Sequence, residues 1–247
     1  GVDIDGYAIV DNYGTIKAEG AAGVDKGGNV NESEGLALSG AGTVINEKNA
    51  LITSVHMGVT LCCTTTLFNA YNYGTINGTV VGVRSGGVVN FYNYGTVTSA
   101  MRAFETDASL GPSNPTSLFL YNYGTIDGTH DGLYVSQHTN GSIYMYDGSK
   151  MLGQIENYGA LTLNNNTDYT LDNDLIGNGT LTKSGSGLLD YTGNGAAYDG
   201  QAYVAGGTLA VDGSLSATPV TVETGAMLEG RGPVGSPVVE QGAPGQG

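Results

Sequence analysis

The side chains able to do chemistry are few and scattered. Histidine occurs at His56, His130 and His138, and none has a neighbouring serine in a nucleophile-elbow string. His130 and Asp131 are adjacent in Thr129-His-Asp-Gly132, but neighbours in a strand point to opposite faces, so a relay between them is not expected and the segment reads as a solvated loop. Carboxylates clustered beside a basic residue could cleave a polysaccharide or hold calcium. Asp107, Asp127, Asp131 and Asp147, with Arg84 or Arg102, are the candidates, and no spacing joins them. Cys62 and Cys63 are adjacent, too close for a disulfide framework or a four-ligand zinc site. They read as two thiols packed in a strand, with a vicinal disulfide as the other state. No phosphate loop, dinucleotide fingerprint or Cys-x-x-Cys is present. A chain without catalytic residues, metal or cofactor is the expectation.

Composition narrows the partners. The 247 residues hold 8 Lys plus Arg against 23 Asp plus Glu, a formal charge of −15. Nucleic acid and anionic membrane surfaces are repelled by such a chain. No apolar run approaches the roughly 20 residues that span a bilayer. The first residues lack a basic start and an apolar stretch, so any export signal is expected to have been removed or to lie outside the sequence. With 42 glycines and 13% charged residues, a helical bundle is excluded.

The elements that position these residues come from a repeat. Asn-Tyr-Gly-Thr-Ile/Val recurs at 12–16, 72–76, 93–97 and 122–126, with a worn copy at Asn157–Leu161. A turn glycine followed by threonine and an aliphatic adds Gly42, Gly179 and Gly207. The intervals are irregular, as in a solenoid whose turns carry loops of different length. One continuous right-handed parallel β-helix follows, all-β, with loop insertions in the intervals ending at Gly42, Gly124 and Gly159. Leu110–Thr116 is the clearest of these loops.

Side-chain parity assigns the faces. Four residues before each glycine stand Val10, Leu38, Ala70, Phe91, Leu120, Ile155 and Leu175, and two after it Ile16, Val44, Ile76, Val97, Ile126, Leu161 and Leu181. Strands alternate with period two, so the asparagine two before the glycine also points inward. Buried amides need partners, and an internal ladder of Asn12, Asn72, Asn93, Asn122 and Asn157 supplies them, with glycines such as Gly40 as interruptions. The opposite parity places Tyr71, Tyr92 and Tyr121, then Tyr13, Tyr73, Tyr94, Tyr123 and Tyr158, in two outward files beside a file of threonines. Cross-strand packing under an inserted loop would explain the tyrosines equally well.

From Asp174 the text changes to Leu175-Ile-Gly-Asn-Gly-Thr-Leu-Thr-Lys-Ser-Gly-Ser-Gly-Leu-Leu189, and later to Val222-Glu-Thr-Gly-Ala-Met-Leu-Glu-Gly-Arg-Gly-Pro-Val-Gly235. These strings resemble the C-terminal, autochaperone-like segment of the passenger of bacterial autotransporters of type V secretion. The resemblance covers about residues 174–247. It divides the chain into passenger coils at 1–173 and a continuous autochaperone-like region at 174–247. It implies export through the outer membrane to the surface of a Gram-negative bacterium, or release from it, and a C-terminal outer-membrane barrel as partner in the full-length protein. The Gly-Asp-Ser-Gly nucleophile string of serine-protease passengers is absent. The expected role is noncatalytic: adhesion to a host surface or matrix ligand, or self-association, through Tyr71, Tyr73, Tyr92, Tyr94, Tyr121 and Tyr123. A structural stalk and folding template for an upstream head, or a polysaccharide-cleaving enzyme with its groove beside His130, are the alternatives.

Overall fold

The computed structural model describes residues 1–20, 23–24, 30–107 and 116–239. Among them there is no helix. Strands coil into a parallel β-solenoid with three faces and one continuous core. Face one stacks Ala8–Asn12, Gly42–Asn46, the second half of Met57–Asn72, the second half of Val81–Asn93, Thr116–Asn122, Thr139–Met145, Ala160–Asn164 and Thr180–Ser184, then runs on to Pro237–Val239. Face two begins with Thr15–Ala18, Leu51–Ser54, Thr75–Gly78 and Thr96–Ser99. Face three includes Glu34–Leu38, Arg102–Thr106 and the second half of Thr125–Val135. The only antiparallel pair among the described residues, Gly23–Val24 with Val30–Asn31, lies in the insertion before Gly42.

Burial follows the alternation. Ala70, Phe91 and Leu120 stack on face one and Ile76, Val97 and Ile126 on face two, each at most 1% exposed. The corner glycine between these faces is required by close approach. A Cβ on Gly95 would fall on the carbonyl oxygen of Gly74, and one on Gly124 on that of Gly95. On Gly74 it would fall on the carbonyl oxygen of Ala50, so the tight Asn-Tyr-Gly corner needs glycine whether the turn it stacks on is short or long.

Several expectations are corrected. Gly42 is not a corner glycine: it pairs with Ala8 and Phe68 inside face one, and the rung above Asn12 ends at Asn46. The turn after Asn46 is longer, running through Glu47 to Ala50 before Leu51 opposes Thr15, which hides the repeat. Gly40 is thus no interruption of the ladder. The interval ending at Gly159 holds an additional rung, Thr139–Met145, rather than a loop. Asn157 and Gly159 belong to the other end of face one, where face three leads in, because Asn157 opposes Val135 on face three. Thr43 and Thr180 lie on face one, opposite Asn69 and Ala160, away from the threonine file of Thr75, Thr96 and Thr125 on face two. The loop expected at 110–116 falls outside the described residues up to position 115.

Cys62 and Cys63 form a vicinal disulfide instead of two free thiols, with Cα atoms 3.7 Å apart. They lie within Met57–Asn72 where it passes from face three to face one. Cys63 adopts φ 73°, a left-handed conformation that breaks the strand's alternation and so permits neighbouring sulfurs to meet.

Candidate functional site

The corner between faces one and two is built on amides. The Nδ2 of Asn12 donates to Oδ1 of Asn46 at 2.8 Å, Asn46 to Asn72, Asn72 to Asn93 and Asn93 to Asn122, the last three at 2.9 Å. Each amide also donates to a carbonyl of the next turn: Leu51, Thr75, Thr96, Thr125 and, from Asn122, Lys150. All five point the same way along the axis. Met145 takes the place opposite Asn122 and ends the run with an apolar side chain. Asn46 is the member hidden from the sequence reading by its longer turn. Asn157 is fully buried but outside this ladder, donating instead to Tyr198 Oη and the Thr180 carbonyl.

Outside this amide column stand two files of tyrosine. Tyr71, Tyr92, Tyr121 and Tyr144 stack with centroids 5.0, 4.6 and 4.5 Å apart. Tyr73, Tyr94, Tyr123 and Tyr146 follow at 5.0, 4.8 and 3.9 Å. Interplanar angles of 5° to 15° turn ring faces toward one another and leave edges and hydroxyls outward. Tyr73, Tyr94 and Tyr123 remain about two-fifths exposed, at 42%, 44% and 38%. Burial among these rings raises the phenol pKa of Tyr92, Tyr94 and Tyr121. Tyr123 is raised to about 12, by burial first and by its hydrogen bond with Tyr146 next. The six tyrosines expected in the files are all there. Tyr144 and Tyr146 extend them, and the Tyr-x-Tyr spacing of Tyr144-Met-Tyr146 was the available signal. Tyr13 stands apart because Glu47, which follows Asn46 as Tyr13 follows Asn12 and Tyr73 follows Asn72, puts a turn without a ring between Tyr13 and Tyr73. Tyr158 sits at the opposite corner, donating to Glu156 Oε1.

The rings and their flanking side chains are uncharged, but Glu47 and Lys48 share one shallow groove with Tyr73 and Tyr94. Outward neighbours of the rings are Asn69 and Asn90, themselves hydrogen-bonded at 3.2 Å, with Phe119, Ser142, Thr75, Thr96 and Thr125. Charge returns at Glu47 and Lys48 on one side and Asp127, Asp147 and Lys150 on the other.

Face three carries the charged groups instead. Arg102 donates to Glu105 Oε2 at 2.8 Å and Asp131 Oδ2 at 3.2 Å, lies 3.7 Å from Glu156 and stacks 3.7 Å from the Tyr134 ring centroid. Arg84 joins Glu32 and Glu105. His130 Nδ1 meets Asp131 Oδ1 at 2.8 Å, and Gln154 donates to the same oxygen at 2.8 Å. The expectation that His130 and Asp131 point apart fails because the register slips between Asp127 and Asp131 and suspends the alternation. Among the expected carboxylates, Asp131 is held by Arg102, and Asp107 lines a shallow groove of about 600 Å³ with Arg102, Tyr134, Glu156 and Tyr158. Asp127 lies on face two and Asp147 follows the Thr139–Met145 rung, away from Asp131's partners. Asp131 is 1% exposed, and its oxygens are taken up by a guanidinium, an imidazole and an amide. That arrangement fixes the wall of the solenoid rather than presenting a free base.

Fold and corner together define a parallel β-solenoid whose amide-braced edge displays stacked tyrosines. In sequence, 64 residues of the chain are 45% identical to part of a protein named Extracellular serine protease from Serratia marcescens. The match spans 26% of this chain and 6% of that protein. No family model matches the chain, and no solved structure matches it.

Proposed function

We propose that the chain is a noncatalytic segment of an autotransporter passenger, exported through the bacterial outer membrane, that adheres to a host ligand or to copies of itself through the tyrosine corner. The carrying observation is an uncharged, partly exposed double file of eight rings on a chain of formal charge −15. Covering the rings themselves desolvates hydroxyls rather than ions, with Glu47 and Lys48 at the edge beside Tyr73 and Tyr94, whereas covering face three would bury the charges of Arg102, Glu105 and Glu156. Rigid aromatic side chains lose little rotamer freedom on contact, and their hydroxyls keep the corner wettable. The extracellular location in the name of the Serratia protein and the autochaperone-like strings from residue 174 support export.

The test places the chain on beads. Adhesion predicts bead aggregation or retention on matrix-coated surfaces, and self-association through a corner on an anionic chain strengthens as salt screens the repulsion. Beads that neither aggregate nor adhere at any salt concentration contradict the role. A stalk is the second reading, favoured by the regular turns of the C-terminal part. There Tyr169, Leu189 and Leu209 pair in series 20 residues apart (169 to 189, 189 to 209), with no insertion between. A stalk passes the folding tests and binds nothing.

A further inference from the structure

The tyrosine files have a chemical property independent of adhesion. Phenols are the readily oxidised side chains of the described corner, and they are arranged in series. Each inner ring has a partner on both faces, with successive centroids 3.9 to 5.0 Å apart. At 3.9 Å the rings of Tyr123 and Tyr146 are in van der Waals contact. Tyr73, Tyr94 and Tyr123 are exposed enough for a soluble oxidant to reach the file. By contrast, Tyr7 and Tyr13 are the most exposed tyrosines among the described residues, at 72% and 76%, and neither stacks on another described ring.

We propose that the two files are a modification site for one-electron oxidants, in which neighbouring tyrosines of successive turns couple to dityrosine and tie the solenoid turn to turn. Tyr123 with Tyr146 is the first pair to couple. A peroxidase using hydrogen peroxide supplies the oxidant. Each of two phenols gives up one electron and its hydroxyl proton to become a phenoxyl radical. The radicals join through a new carbon-carbon bond between ring positions ortho to the oxygens. The two ortho hydrogens leave as protons while both rings regain their phenol hydroxyls. The net reaction removes two hydrogen atoms from the pair and reduces one hydrogen peroxide to two waters. A radical formed on any ring of a file has an identical acceptor within 5.0 Å, so oxidation at an exposed ring can move along the column to the pair with the closest contact. Coupling within a file needs no encounter between molecules, and the −15 charge opposes coupling between chains.

The experiment treats the chain with a haem peroxidase and hydrogen peroxide, then separates the monomer from cross-linked oligomers and maps linked peptides in each by mass spectrometry. The expected result is dityrosine fluorescence in the monomer, with Tyr123–Tyr146 the most abundant link and other links confined to Tyr71, Tyr73, Tyr92, Tyr94, Tyr121 and Tyr144. Tyr146→Phe keeps a ring in the stack and should abolish that link. Unfolding the parent in urea before oxidation should lower all file links at least severalfold, a comparison that needs no variant to fold. Links dominated by Tyr7 and Tyr13, links found only between chains, or file links equally abundant in urea would overturn the proposal. Because the readout is a covalent bond within one chain, it is separate from whether the corner adheres to anything.

Discussion

The side-chain amide of Asn93 reaches two acceptors in the next turn at once, Oδ1 of Asn122 at 2.9 Å and the Thr125 carbonyl at 3.1 Å. Its own oxygen accepts from Asn72 at 2.9 Å. One side chain thus satisfies buried polar groups in the turns before and after its own, in a column whose members from Asn46 to Asn122 are 0% exposed. Replacing Asn93 with Leu leaves the Asn122 oxygen and the Thr125 carbonyl without that donor, and one Asn72 proton without its acceptor. A loss of about 1–3 kcal/mol is expected from buried groups left unpaired. Denaturant titration measures it, and the same change at Asn12, on the first rung, should cost less.

Lys183 does a related job downstream with a charge. Its stem continues the inward column of Leu163, and its Nζ donates to the carbonyls of Ser184 and Gly185 at 2.9 Å and of Gly206 at 3.0 Å. The residue is 2% exposed, and burial lowers its pKa from the ordinary lysine value. Lys183→Met keeps the stem and removes the three donors. It should destabilise the chain by about 1–3 kcal/mol, read as a lower midpoint with an unchanged slope in urea. An equal or higher midpoint would show that shedding the buried charge outweighs the lost bonds.

Alkaline pH should act through the files. The Tyr123 phenol ionises at about 12 in the fold against the ordinary 10.0. Below pH 10 both folded and unfolded phenols are neutral, and the stabilisation of the neutral form is fully present. Between pH 10 and 12 the unfolded chain has lost protons that the folded one keeps, so stability falls as pH rises. Phenolate absorbance should show Tyr123 titrating late, and Tyr123→Phe should flatten the decline in this window.

The C-terminal turns should open last. Leu189, Leu209 and Leu228 pair in series with turns of 20 and 19 residues (189 to 209, 209 to 228), and Tyr191 and Tyr198 are buried among them. Upstream, the same step takes 29 residues from Thr96 to Thr125 and 25 from Thr125 to Lys150. In a solenoid each turn is stabilised by its neighbours, and turns with insertions fray first. Hydrogen exchange across 175–230 should therefore be slower than across the turns between Asn93 and Tyr158. Deleting 174–247 should impair folding more than deleting an equal length from the N-terminus.

The inward aliphatics and the Asn-Tyr-Gly corner were legible because both follow from period-two alternation and from the close approach that admits only glycine. What escaped was wherever a corner changed length. Asn46 lay hidden behind the longer turn to Ala50, and the rung ending at Met145 had lost the asparagine and carried its glycine one place later, at Gly148, while keeping Tyr144 and Tyr146. Asn157 had the right letters at the wrong corner, since sequence spacing alone does not say which of three corners a glycine occupies. The contact between His130 and Asp131 and the bond between Cys62 and Cys63 both depend on local departures from strand geometry, a register slip and a left-handed residue, that no residue type announces.

The central claim is that the tyrosine corner is the adhesive surface, and it is tested by changing Tyr73, Tyr94 and Tyr123 together to Ser and repeating the bead assay. These three are the more exposed rings, and the amide ladder and aliphatic core beneath them are untouched by the change. The account predicts an unaltered β circular dichroism spectrum with bead aggregation or surface retention greatly reduced. Adhesion equal to that of the parent, with the fold intact, would contradict it.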